Sequence, residues 1–135
     1  MQATPMEKRV VNPWQWQEKV GYAQAVEIKH ATSTLYCAGQ AAINAQGEPS
    51  TADMKTQLLQ VIHNLEQVIQ EAGYQCQDIV RLNVYTTSAA ELFSCFDVFT
   101  EWVTKHGIQQ ASTLLEVKVL AYDCLKIELE ATAVK

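Results

Sequence analysis

Gln110-Ala111-Ser112-Thr113-Leu114-Leu115-Glu116-Val117-Lys118-Val119 and, after the connection Ala121-Tyr122-Asp123-Cys124, Lys126-Ile127-Glu128-Leu129-Glu130-Ala131-Thr132-Ala133 are the stretches from which the fold is read. In the first, Leu115, Val117 and Val119 alternate with Glu116 and Lys118. In the second, Ile127, Leu129, Ala131 and Ala133 alternate with Lys126, Glu128, Glu130 and Thr132. Successive side chains of an extended chain point to opposite faces, so each pattern predicts a strand with one buried face. The short connection between them predicts a C-terminal hairpin.

Upstream, the spacing lengthens from two to three and four. Leu58, Val61, Ile62, Leu65, Val68, Ile69 and Ala72 form the stripe of an amphipathic helix, with Thr51 or Asp53 as its cap and Gly73 at its end. A second helix is expected from Ala89 to His106, with Leu92, Phe93, Phe96, Phe99 and Val103 on one face and Gly107 closing it. Between the helices, Ile79–Thr86 alternates as a half-buried strand, Leu82 and Val84 facing opposite to Arg81, Asn83 and Tyr85. Gly21–Ile28 and Thr34–Ala42 read as an N-terminal hairpin joined through Lys29–Ser33. Residues 1–20 are taken as an N-terminal extension and 21–135 as the domain; residues 1–13 carry no periodicity. Trp14 and Trp16, two apart, face the same way in an extended segment and either cap a core, line a ligand pocket or meet another subunit.

The order ββαβαββ predicts an α+β protein, a single mixed sheet with both helices on one face. The other face must then be polar or find cover.

Composition limits the functions available. With 135 residues the chain is one domain in size, and 48% hydrophobic against 19% charged residues marks a folded protein. A net charge of -5, with basic residues scattered, argues against nucleic acid as a partner. No apolar run of membrane-spanning length and no export signal is visible, so no membrane association and a cytoplasmic location are expected. Cys37, Cys76, Cys95 and Cys124 lie far apart and are expected as reduced thiols. Neither a metal, for which ligand spacing is absent, nor a cofactor is expected.

Several segments, in order, carry a family pattern. Gly21-Tyr22-Ala23-Gln24-Ala25-Val26 is similar to a Gly-Pro-Tyr-Ser-Gln-Ala-Val opening, and Tyr36-Cys37-Ala38-Gly39-Gln40 to a Tyr-Thr-Ser-Gly-Gln strand. Gln57, Asn64-Leu65 and Glu71-Ala72-Gly73 match a first helix, and Asp78 to Tyr85 an Asp-Val-Val-Lys-X-Thr-Val-Tyr strand. Gln110-Ala111-Ser112-Thr113 and Ile127-Glu128-Leu129-Glu130-Ala131 fall on Pro-Ala-Arg-Ser and Val-Glu-Ile-Glu-Ala. From about Gly21 to Val134 the chain resembles the Rid/YjgF (RidA-like) family of enamine/imine deaminases. The resemblance implies a chorismate-mutase-like fold and a homotrimer whose sheets form a central barrel, with small-molecule clefts between subunits.

In active members the arginine clamps a substrate carboxylate and the last-strand glutamate positions or activates the attacking water. Carried over, Glu128 is the candidate catalytic residue, and Tyr22, Cys37, Gly39, Phe96 and Ser112 are candidate binding residues. Read from its strand alone, Glu128 is a solvated glutamate, and Cys37 and Cys124 are packed thiols. Three positions depart from the pattern: Ser112 replaces the arginine, Ala38 a serine and Phe96 an asparagine. The pocket becomes more apolar and loses its fixed charge, so weak or no activity on 2-iminopropionate-like acids is expected. Arg81 and Lys118 are the candidates for a displaced cation. Three functions compete: a hydrolase for another imine, enamine or related metabolite; a non-catalytic ligand-binding or regulatory trimer; and a ribonuclease, which the acidic balance disfavours.

Overall fold

Helix α1 (Met54–Glu71) is the long element of the computed structural model, which describes residues 4–135. Asp53 caps it by accepting from the Thr56 N–H at 2.9 Å, and Gly73 follows its end at φ +83°. Leu58, Val61, Ile62, Leu65 and Ile69 are buried, and each contributes about 1.5–3 kcal/mol through burial; Val68 and Ala72, expected on the same stripe, lie at its edge and end and are exposed. Two polar residues of α1 are structural pins. Gln57, fully buried, donates to Ser50 O, Ala52 O and Cys124 O and accepts from the Lys126 N–H. Asn64 donates to Ala41 O and Ile43 O. Backbone groups that would otherwise lie unpaired beside the core are satisfied in this way.

The strands are β1 (Glu7–Val11), β2 (Ala25–Lys29), β3 (Thr34–Tyr36), β4 (Gln40–Ala41), β5 (Ile79–Thr86), β6 (Ala111–Glu116) and β7 (Ile127–Val134). The main sheet runs β3-β7-β5-β6, and β4 pairs farther along β7. All its pairings are antiparallel except β5 with β6. The α+β class and a mixed sheet are therefore observed, with three helices in place of the two expected.

Both expected hairpins are absent. β6 does not pair with β7, because β5 lies between them. The reason is the connection: a helical crossover from β5 to β6 returns the chain parallel, which leaves the other edge of β5 for β7. At the N-terminus, β2 pairs with β1 in a separate two-stranded sheet, Val10 opposite Val26. The segment read as aperiodic extension thus supplies a strand. The link from β2 to β3 does not close a tight turn; the Thr32 and Ser33 N–H groups both donate to Lys135 O at 2.8 Å, drawing β3 to the end of β7.

The expected second helix is broken into α2 (Ala89–Ser94) and α3 (Asp97–Lys105). Cys95, at φ -129°, leaves helical geometry, so no single stripe runs through. Leu92, Phe99 and Val103 are buried, but Phe93 is 56% exposed. β6 begins four residues before the alternating run anticipated and ends at Glu116, leaving Val119 exposed.

Leu82 and Val84 of β5 and Ile127, Leu129, Ala131 and Ala133 of β7 are buried in the core with α1 and α3. The opposite face carries Arg81, Asn83, Tyr85, Glu128, Glu130 and Thr132, with Tyr36 and Leu115 exposed beside them. No helix among the described residues is long and apolar enough to cross a membrane.

Candidate functional site

Tyr22 is carried to its place by a locked loop. A 3-10 turn at Trp16–Val20 ends on Gly21, whose φ of +87° lies in the left-handed region that favours glycine. The Ala23 N–H donates to Gln110 O at 2.8 Å, and the buried Gln110 side chain donates to Gly21 O at 2.7 Å. Gln24 closes the loop from the other side by donating its N–H to Asn12 Oδ1 at 2.9 Å. These bonds dock the loop at the start of β6, the strand that carries Ser112.

Tyr22, Phe96 and Ser112 then line one cavity of about 370 Å³, together with Trp16, Val20, Val84, Phe93, Phe99 and Leu114. Trp16 meets Tyr22 edge-on at 6.3 Å between ring centroids, and Phe96 stands 5.5 Å from Phe93 and 5.0 Å from Phe99. No charged side chain is among the lining residues. Arg81 lies on the far face of the sheet and Lys118 is exposed beyond β6, so neither supplies a cation to this cavity. Its hydroxyl at Ser112 donates to Leu82 O and is already engaged. Of the three uses open to the tryptophans, Trp16 lines this pocket, whereas Trp14 is 58% exposed and does not.

Glu128 is elsewhere. In the register Tyr85 opposes Glu128, while Leu82 opposes Ser112 and Val84 opposes both Leu114 and Leu129. Ser112 therefore shares the helix-side face with Leu82, and Glu128 belongs to the open face with Tyr85. The carboxyl lies over Gly39: a Cβ there would stand 2.8 Å from Glu128 Cδ, so glycine gives the room it occupies. Among the described residues nothing donates a hydrogen bond to Glu128. Partial burial raises its pKa, and the nearby charge of Glu130 raises it further. Glu130, by contrast, is engaged, accepting from Asn83 Nδ2 at 3.0 Å and the Tyr85 hydroxyl at 3.1 Å. Donating to Glu130 raises the phenol pKa of Tyr85.

The six candidates thus divide. Tyr22, Phe96 and Ser112 come together, Gly39 and Glu128 come together on the other face, and the Cys37 side chain is buried in the core. The Cys37 N–H is spent on Ala131 O at 2.9 Å, and burial raises its thiol pKa, the environment of a packed thiol. Sequence reasoning missed Val20, Val84, Phe93, Phe99 and Leu114 as pocket lining; the break at Cys95 that exposes Phe93 has no signature in a run of helical spacing. The four cysteines are free thiols. One group of metal-ligating side chains does come together in space: Glu66, Cys76 and His106.

Comparison with known proteins bears on the fold and the family. The family profile described as Endoribonuclease L-PSP matches residues 16–135. A solved structure of YyfB, of the conserved Rid protein family from Yersinia pestis, is 35% identical, with a TM-score of 0.83 over 95% of this chain and 98% of that one. A RutC family protein of Pyrococcus horikoshii is 32% identical over 84% of this chain and 86% of its own. The 2-iminobutanoate/2-iminopropanoate deaminase of Escherichia coli is 28% identical over 84% of this chain and 87% of its own.

Proposed function

The chain belongs to the Endoribonuclease L-PSP family, the Rid/YjgF group, and from that premise we propose that it hydrolyses an apolar, weakly charged imine or enamine in a cleft completed by another copy of itself. The observation that carries the reading is the cation-free aromatic pocket around Ser112. A carboxylate clamp needs a guanidinium or an equivalent set of charged donors. This pocket offers rings and the phenol of Tyr22 instead, and the Ser112 hydroxyl is committed to Leu82 O.

Glu128 supports the catalytic half. An unpartnered carboxylate with a raised pKa is suited to hold and deprotonate water. Water adds through oxygen to the imine carbon while Glu128 takes its proton. That proton passes to nitrogen to give the carbinolamine; the carboxylate then moves the hydroxyl proton to the amine, the carbon–nitrogen bond breaks as the carbonyl forms, and a carbonyl compound and ammonia result. Within one chain Glu128 and Ser112 lie on opposite faces of the sheet, so the pocket of one copy must meet the Glu128 face of another. A homotrimer with its open sheet faces turned inward is the assembly proposed; Tyr36 and Leu115 would be covered there. The nuclease in the family's name is not carried over, since a net charge of -5 opposes binding to a phosphate backbone.

The test is ammonia release from imines generated in situ, comparing the carboxylate-free imines that an amine oxidase makes from aromatic or aliphatic amines with 2-iminopropionate made by an amino-acid oxidase. Preference for the larger apolar imines is expected, and Ser112→Arg should move it toward small carboxylate-bearing ones. Glu128→Gln should lower turnover roughly a hundredfold or more while ligand affinity changes little. A second reading, a non-catalytic ligand-binding trimer, draws on the engaged hydroxyl of Ser112; no ammonia from any imine, with ligand binding intact, would favour it.

A further inference from the structure

Away from the sheet, the turn after α1 faces the end of α3. Glu66 on α1, Cys76 in that turn and His106 just beyond α3 place a carboxylate oxygen, the thiol sulfur and a ring nitrogen all within 4.8 Å of one another. His106 Nε2 stands 3.4 Å from Glu66 Oε2. We propose that these three side chains bind a thiophilic divalent cation of the zinc type, with solvent in a fourth position.

The donor set suits that ion. Zinc takes sulfur, imidazole nitrogen and carboxylate oxygen in a tetrahedron, whose bonds of about 2.0–2.3 Å place donors roughly 3.3–3.8 Å apart. The observed cluster needs only a small side-chain closure to reach this. Hard cations such as magnesium would not select a thiol.

The frame holds the donors from three directions. Cys76 lies in a 3-10 turn clamped by Gln75 N–H to Asp78 Oδ2 at 2.8 Å and Asp78 N–H to Gln75 O at 2.9 Å. The His106 ring stands edge-on to Trp102 at 6.3 Å. Cys76 is buried, whereas the side chains of Glu66 and His106 are 27% and 30% exposed, so an ion enters from solvent onto a thiol floor.

Charge points the same way. Among the described residues no lysine or arginine forms an ion pair with Glu66. On binding, the ion displaces the thiol proton to solvent, and the thiolate and the Glu66 carboxylate together balance its charge, with His106 as a neutral ligand. The three residues are far apart in the chain, which is why ligand spacing gave no sign of them.

Cobalt titration of the reduced protein tests the site directly. One equivalent per chain should develop visible ligand-field bands and a near-ultraviolet thiolate-to-cobalt band, both bleached by zinc. Cys76→Ser should remove the thiolate band, and His106→Gln, with its fold checked by circular dichroism, should weaken cobalt binding roughly a hundredfold. Zinc should raise the melting temperature of the parent protein and not of Cys76→Ser. A thiolate band that persists in Cys76→Ser, cobalt bands with no thiolate component, or binding only at millimolar metal would each overturn the proposal.

Discussion

On the helix-covered face of the sheet, Ile127, Leu129, Ala131 and Ala133 are sealed into a core with α1. On the other face of the same strand, Glu128, Glu130 and Thr132 remain half-exposed, and the engaged Glu130 sits two positions from an unpartnered Glu128. One face is packed against helices of the same chain; the other holds a carboxylate to which no described residue donates a hydrogen bond. The lesson is that the fold and the chemistry are written on alternate residues of one strand. Substitutions one position apart should therefore fail in different ways.

Leu129→Ala gives the largest expected effect. Leu129 is fully buried, and truncation should cost about 2–5 kcal/mol in chemical denaturation, with activity per folded molecule preserved. A cost under about 1 kcal/mol would break the division, since it would mean the site collapses or that face is not closed.

Gly39→Ala comes next and should act on function alone. The new Cβ would lie 2.8 Å from Glu128 Cδ and Oε2, at the mobile end of a side chain that is free to swing away. Stability should hardly change, but a displaced carboxylate should lower turnover roughly a hundredfold, because misplacement by about an ångström is enough. Unchanged ammonia release would show that Glu128 need not stand over Gly39.

How much of this was legible beforehand follows from the range of the forces. Alternation in β5 and β7 told which residues face the core, because the period of a strand is a local property. The α1 stripe and the Asp53 cap were legible for the same reason. Strand partners were not. β6 pairs with β5 because of the crossover through α2 and α3, and β1 captures β2 although neither edge carries a distinguishing pattern. The departure at Ser112 was visible as a missing cation, but its placement opposite Glu128 required the register. Glu66, Cys76 and His106 meet only through packing of the turn after α1 against α3, and no periodicity reports that.

The aromatic pocket makes the third comparison, since its recognition is spread over several rings. Trp16→Ala removes an exposed wall of it and should raise KM for an apolar imine roughly tenfold, equivalent to about 1.4 kcal/mol, with little change in kcat. A fall in kcat at constant KM would instead give the loop a part in chemistry.

The smallest effect is the most diagnostic. Burial, and then Glu130, raise the pKa of Glu128 in the folded chain. The folded state therefore holds this proton more tightly than the unfolded state, where a glutamate titrates near about 4.3. Below that value both states are protonated and ionisation exacts no penalty. As pH rises through the folded value, the stability associated with the protonated form is lost. Glu128→Gln is neutral throughout, so at neutral pH it should melt slightly above the parent, by no more than about 0.5 kcal/mol, and the gap should close as the solution is acidified toward the unfolded value. The opposite sign, with the parent more stable at neutral pH, would mean that Glu128 has found a cation. In the proposed assembly a neighbouring copy turned toward this face provides it, since Arg81 on the same face stands opposite Thr132, four positions along the strand from Glu128.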